Sequence, residues 1–255
     1  MNHQDPTRRF ANRVDVYIRH RPSYPSQLFD LLEKECGLST DWTIADIGSG
    51  TGILSRLFLK RGHIVFGVEP NVEMRRAAEG LLTGFSGFRS TSATAEETTL
   101  KSQSIDLIVA GQAFHWFDPD FARREFGRIL KPGGIVALIW NDRRKDSTKF
   151  LTEYERLLIT FGTDYQKVDH TRLTSTTLNT FFGPGGYRSA AFDNQQQLDF
   201  YGLRGRLLSA SYIPPENDPQ FSPMIRQLHT IYETHQLDGQ VALDYDTRIY
   251  YGQMS

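Results

Sequence analysis

The stretch that most constrains this chain is Asp41-Trp-Thr-Ile-Ala-Asp-Ile-Gly-Ser-Gly-Thr-Gly-Ile-Leu-Ser-Arg-Leu-Phe58. Thr43 to Ile47 is a short run with β-formers, of a length that suits a buried strand. Ile53, Leu54, Leu57 and Phe58 recur at helical spacing and so share one face of a helix. Between them lies Gly48-Ser49-Gly50-Thr51-Gly52, three glycines in five residues. A strand that turns at once into a helix on glycine leaves backbone N–H groups bare at the helix start. With no Cβ in the way, another molecule can also come within contact distance of the backbone. That is a binding device for a nucleoside-like ligand.

The rest of the chain repeats the strand-then-helix theme. His63-Ile-Val-Phe-Gly-Val-Glu-Pro70 reads as a second strand ending in an acid. Glu69 follows the glycines by about twenty residues, where a carboxylate at a strand's C-terminal edge can accept both hydroxyls of a ribose. A helix with Val72, Ala77, Ala78, Leu81 and Leu82 inward comes next, then a weaker third strand over 87–93 and a loop at Ala95-Glu96. Ser104 to Ala110 is almost wholly apolar, as a central parallel strand should be. It runs into Gly111-Gln-Ala-Phe-His-Trp-Phe-Asp-Pro119, in which Asp118-Pro119 caps a new helix. Lys131-Pro-Gly-Gly134 ends that helix and turns the chain into a fifth strand, Ile135 to Trp140.

Five alternations predict a doubly wound, mostly parallel α/β sheet, whose ligands sit at the C-terminal strand ends. Glycines 48–52, Glu69, Gln112–Trp116 and Asn141 all fall at those ends.

The flanks are less regular. Residues 7–36 read as two short helices, with Phe10, Val14, Tyr17 and Ile18 on one face of the first and Leu28, Leu31, Leu32 and Cys36 on the second. Between them, the two prolines of Arg19-His-Arg-Pro-Ser-Tyr-Pro25 force extended or turn geometry. This segment is either a plain helical cap or a lid, with Tyr17, Arg21 or Tyr24 facing a ligand. Beyond Asn141, helices are expected over 147–162, 174–182, 199–209 and 220–236, with a strand over Tyr187–Leu198. Val241 to Tyr251 alternates strictly and predicts a last strand with one buried face. The expected organisation is one domain over 1–255: lid 1–41, binding core 42–142, and substrate-side helices and last strands 143–255.

Whole-chain properties exclude several classes. Lys plus Arg (29) nearly cancels Asp plus Glu (30), so no long-range pull toward nucleic acid or a membrane is expected. The basic clusters Arg123-Arg124 and Arg143-Arg144-Lys145 read as solvated faces. A single cysteine, Cys36, rules out an internal disulfide framework, and no metal is expected. The polar residues 1–10 and the absence of a long apolar run predict a cytoplasmic protein.

The motifs carry a resemblance. Asp46-Ile-Gly48-Ser-Gly50-Thr-Gly52 resembles motif I of the class I S-adenosylmethionine-dependent methyltransferases, and Gly67-Val-Glu69-Pro-Asn71 resembles their motif II. Ala95-Glu96, Ser104-Ile-Asp-Leu-Ile-Val and Ile129-Leu-Lys-Pro-Gly-Gly-Ile-Val follow in order as the later motifs. Weaker similarity through Tyr17-x-x-x-Arg21-Pro-x-Tyr24-Pro, Ala113-Phe-His-Trp-Phe-Asp118 and Tyr245-Asp-Thr-Arg-Ile-Tyr-Tyr resembles the "type 11" small-molecule branch, which includes trans-aconitate methyltransferase.

The resemblance implies a seven-stranded Rossmann-like methyltransferase fold and S-adenosylmethionine as cofactor. It implies methyl transfer to a small-molecule oxygen, a carboxylate or a hydroxyl. Gly48, Ser49 and Gly50 would lie against the methionyl part, and Asp46 would orient that turn and help hold the ammonium. Glu69 would take the ribose diol, Asn71 a neighbouring contact, Ala95 and Glu96 the adenine edge, and Gly111 and Gln112 the sulfonium end. Tyr17 and Arg21 would close over the cofactor, with Arg21 equally able to meet an acidic substrate. His115, Trp116 and Tyr24 would face the acceptor. His115 would be the base for a hydroxyl, or else a histidine that only shapes the pocket.

Two other classes share parts of the pattern. A dinucleotide oxidoreductase also places Gly-x-Gly after a strand and an acid about twenty residues on, but Ile53 stands where it wants a small residue. A protein that binds the cofactor without using it, as a sensor, would show the same motifs. Neither the acceptor nor the oligomeric state is written in the sequence.

Overall fold

Thr43–Ile47 (β1) lies at the centre of the molecule because both faces of it are apolar and both edges find partners. It pairs in parallel with Ile64–Val68 (β2) on one side and with Ile105–Gly111 (β4) on the other. The computed structural model describes residues 20–163, 165 and 174–254. Phe88–Thr91 (β3) extends the parallel sheet beyond β2, and Leu130–Arg143 (β5) extends it beyond β4. Val241–Gln253 (β7) then runs antiparallel to β5, and Arg188–Leu198 (β6) pairs antiparallel with β7 at the edge. The order β3-β2-β1-β4-β5-β7-β6 is the seven-stranded, doubly wound sheet expected from the alternation of strands and helices.

Helices cover both faces. On one, Pro119–Ile129 (α4) and Ser175–Phe182 (α6) bury Phe126, Ile129, Phe181 and Phe182 against Ile47, Ile108, Val136 and Trp140. On the other, Gln27–Cys36 (α1), Ile53–Leu59 (α2) and Val72–Leu81 (α3) pack on Ile44, Val65, Leu107, Ala137 and Ile249. A third apolar cluster joins Lys149–Phe161 (α5), Phe200–Leu208 (α7) and Phe221–His235 (α8) to the first half of β7. The alternation in β7 does what it predicts: Val241, Leu243, Tyr245, Thr247, Ile249 and Tyr251 are buried, and the intervening residues are not.

Caps follow the sequence signals. Asp118 Oδ1 accepts from the amides of Asp120 and Phe121, with Pro119 at the first helical position. Among the described residues no helix is long and apolar enough to cross a membrane.

Four expectations about the fold need correction. Val72 and Leu81 of α3 are not inward but 42% and 46% exposed, and Met74, Ala78 and the following Leu82 take the buried places. Lys131-Pro-Gly-Gly134 is absorbed into β5 as a bulge: Leu130 pairs with Ile105 and Ile135 with Leu107, and Gly133 carries the turn at φ +81°. In α1, Phe29 takes the buried place, leaving Leu31 and Cys36 half-buried, because its ring meets Phe58 edge-on and lies under the Arg61 guanidinium. Arg143 is not on a solvated face. Its side chain is 10% exposed, ion-paired with Glu155 and bonded to the Tyr165 hydroxyl, because α5 packs across the end of β5. The expected helix around Phe10, Val14, Tyr17 and Ile18 lies outside the described residues.

Candidate functional site

At the C-terminal edge of the parallel strands a cleft of about 250 Å³ opens, lined by Gly48, Gly50, Glu69, Asn71, Ala95, Glu96, Gly111, Gln112 and Trp116. Eight of these nine were singled out for the cofactor from sequence alone, and Trp116 for the acceptor. The glycine turn makes one wall. Gly48 sits at φ +69°, and a Cβ there would stand 2.6 Å from the Cβ of Ala113, so the turn can pack against the end of β4 only as glycine. Gly50, also left-handed at φ +56°, has open space on its Cβ side. Ser49 is in the turn but does not line the cleft.

Glu69 faces this turn from the end of β2. Its Oε2 accepts from the Gly50 amide at 2.9 Å and its Oε1 from the Asn71 amide at 2.8 Å. Burial pushes its pKa up, while those two amides and Arg75 hold it down. The Asn71 side chain is committed locally: its Oδ1 caps α3 by accepting from Glu73 and Met74 amides.

Asp46 lies behind the turn, 1% exposed, and accepts a 2.6 Å bond from Ser55 Oγ. Removal from water raises its pKa to about 7, against the opposing pull of the Ser55 hydrogen bonds. It is therefore a buried support for the turn and not part of the cleft wall.

The other wall is built at the end of β4. Gln112 adopts φ +56°, a left-handed conformation that costs a non-glycine residue roughly 1 kcal/mol or more. Its amide donates to Ile139 O, and its Nε2 to Asn141 O. His115 and Trp116 follow in a single 3-10 turn with rings 4.8 Å apart; Trp116 lines the cleft and His115 stands beside it. Glu96 Oε1 accepts from the Asp118 amide, tying the loop after β3 to the start of α4.

Residues 20–25 form a strap over this edge. Tyr24 presses its hydroxyl against Gly111, where a Cβ would lie 2.4 Å from it. Ser23 O accepts from Asn141 Nδ2 and Asn194 Nδ2, and His20 O from Gln196 Nε2. Arg21 donates to Ser209 O at 2.8 Å. Tyr17 lies outside the described residues.

Sequence reasoning missed several wall residues, among them Met74, Thr94, Ala113 and Phe117. Met74 and Phe117 were each one step from a marked position: Met74 is on the helix capped by Asn71, and Phe117 ends the run that holds His115. No periodicity singles them out. Among the described residues no three His, Cys, Asp or Glu side chains converge as a metal site would need.

Comparison with known proteins agrees with this geometry. Residues 45–138 match the methyltransferase domain family. Over 143 residues the chain is 37% identical to a methyltransferase of Mycobacterium tuberculosis, covering 55% of each protein. Over 137 residues it is 34% identical to one of Schizosaccharomyces pombe, covering 53% of each. The chain thus spans about half the length of the curated relatives it matches. A solved chain from Anaeromyxobacter dehalogenans, assigned to the type II methyltransferases, superposes with a TM-score of 0.70 at 21% identity, covering 92% of this chain and 98% of that one.

Proposed function

We propose that this chain, whose residues 45–138 match a methyltransferase domain family, is a class I S-adenosylmethionine-dependent methyltransferase that transfers a methyl group to an oxygen of a small-molecule acceptor. The observation that carries the reading is the Glu69 carboxylate fixed on the Gly50 amide at the cleft, beside a glycine face that no side chain fills. A buried acid held by two amides is a ready acceptor for a ribose diol, and the open Gly50 face gives a methionyl chain room against backbone. The residues therefore fit the cofactor.

Gly48, Ser49 and Gly50 would hold its methionyl part, Glu69 and Asn71 its ribose, and Ala95, Glu96 and Met74 its adenine. Gly111 and Gln112 would border the reacting end. Asp46 supports the turn from behind through Ser55 and reaches the ligand only through it. When bound, the cofactor supplies an electrophilic methyl on a sulfonium. What the chain adds is alignment of the acceptor and exclusion of water, an effect that can supply several kcal/mol.

Trp116 and Tyr24 would shape the acceptor's side of the cleft. A carboxylate acceptor needs no base; for a hydroxyl, His115 would take the proton at its ring nitrogen. The near balance of charge suits a small acceptor in the cytoplasm better than nucleic acid or a membrane. Residues 143–254, with the strap, would form the acceptor side of one domain.

Transfer of label from methyl-labelled cofactor to a panel of carboxylic acids and phenols tests the activity. Label in an ester or ether product is expected. Tight cofactor binding with no transfer to any acceptor would favour a sensor.

A further inference from the structure

The sheet ends on β6. Among the described residues this strand pairs only with β7, in one unbroken register from Arg188↔Tyr251 to Leu198↔Val241. Which of its backbone groups face outward follows from its neighbours. Asp244 of β7 gives its carbonyl to the Arg144 amide at the end of β5, so it faces away from its partner across the ladder, Gln195. The Gln195 amide accordingly turns to Asn194 Oδ1 and not to β7. By alternation the amides and carbonyls of Ser189, Ala191, Asp193 and Gln197 also point outward, and all five of these residues are exposed.

Edges of this kind are ordinarily blunted by proline, lysine, a bulge or short length. β6 runs for 11 residues without proline, lysine or a register shift. The one charge in its outward row, Asp193, is ion-paired with Arg144 of its own chain.

An antiparallel copy of the same strand offers this edge the matching order of donors and acceptors. A two-fold axis through the pair opposes residues of the same face. Centred on Asp193, such a pair would set carboxylate against carboxylate. Centred on Phe192, it opposes Asp193 to Ala191 and Ser189 to Gln195, and no like charges meet. Phe192 then faces its own copy as a non-hydrogen-bonded pair, where side chains approach most closely. The residue beside Ala191 on β7 is Arg248, so the incoming Asp193 shares a row with a guanidinium about 10 Å away across a small side chain. Arg248 holds Asp142 and Asp246 at 3.2 and 3.5 Å and has further N–H donors.

We propose that β6 pairs antiparallel with β6 of a second copy of this chain, with Phe192 on the two-fold axis, joining the two seven-stranded sheets into one. Asn194 and Gln196, which hold the strap at Ser23 and His20, lie within the paired segment, so the strap-bearing sides of the two chains come together. The overlap, residues 188–196, is shorter than the roughly 20–30 residues a side of a standard interface, which places the association in the micromolar range. A dimer here requires nothing of the methyl-transfer reading.

Sedimentation equilibrium of the full chain, from about 1 to 300 µM, tests the pairing. A monomer–dimer equilibrium is expected. Ala191→Lys sets a charge on the exposed edge beside Arg248 and should weaken dimerisation at least tenfold, with the Tm held within a few degrees. Gln195→Lys, opposite Ser189 of the copy, gives the same reading should Ala191→Lys lower the Tm. Hydrogen exchange reads the edge itself: the Ala191 and Asp193 amides should be protected at high concentration and exchange freely at low.

A monomer across the whole range would overturn the proposal. So would protection of those two amides in the monomer, which would mean that another segment of the same chain covers the edge. A dimer left intact by both lysine variants would place the interface elsewhere and overturn it as well.

Discussion

The two halves of the sheet fix their polar groups in different ways. On the β3-β2-β1-β4 side, Glu69 is held by backbone amides two and nineteen residues away, and Asp46 by a serine nine residues away. On the β5-β7-β6 side, the contacts join residues far apart in the chain: Asn194 to the strap at Ser23, Gln196 to His20, Thr247 to Asn141. If the first side holds the cofactor, as proposed, local backbone geometry would suffice for a ligand that does not vary. If the second side meets the acceptor, side chains drawn from several elements could be exchanged there without unmaking the fold.

That contrast is most easily broken at the glycine turn. Gly48→Val adds both a strained left-handed φ and a clash with Ala113, costs of roughly 1–3 kcal/mol each. Titration should show S-adenosylhomocysteine affinity reduced by at least about 100-fold, with a lowered Tm. Gly50→Ala sharpens the point, because its Cβ meets nothing within 4 Å. Its Tm should fall less than that of Gly48→Val even as ligand affinity drops, and equal losses of Tm would contradict the assignment of open space to the ligand.

Glu69→Gln comes next. A hydrogen bond to a charged acceptor is worth roughly 1.5–3 kcal/mol, so affinity should fall at least about tenfold. An unchanged Kd would remove Glu69 from the binding site.

The pH dependence of stability isolates Asp46. In the folded chain it holds its proton up to about pH 7, while in the unfolded chain it releases it near 3.8. Between those values the unfolded state binds fewer protons, so this group's effect is to lower stability as pH rises, levelling above about 7. Asp46→Asn should flatten that part of the Tm–pH curve between pH 4.5 and 7.5. An identical slope in both proteins would show that Asp46 is ionised when folded.

The smallest effect belongs to the other half. Asn194→Ala removes the bonds to Ser23 O and Asn141 Oδ1, a loss of about 1 kcal/mol. Acceptor KM should rise a few-fold while S-adenosylhomocysteine affinity stays level. The reverse pattern would mean that the strap serves the cofactor.

The same contrast explains what could be read in the sequence. Glycines 48–52 and Glu69 were legible because spacing along the chain dictates where a strand end, a turn and a helix start must fall. The alternation of Val241–Tyr251 was legible for the same reason, since period 2 is a local property. Arg143 was misread as solvated because its burial depends on α5, and no local pattern reports that helix crossing the end of β5. Arg21 was marked, but its bond to Ser209 spans 188 residues and could not be foreseen.

The central claim is that the cleft between the glycine turn and Glu69 holds an adenosyl sulfonium cofactor. Calorimetric titration of S-adenosylhomocysteine into wild type and Glu69→Gln, with NAD as the control ligand, tests it most directly. The account predicts saturable binding of one molecule per chain, weakened in the variant, and no heat with NAD. Saturable binding of NAD with none of S-adenosylhomocysteine would contradict it.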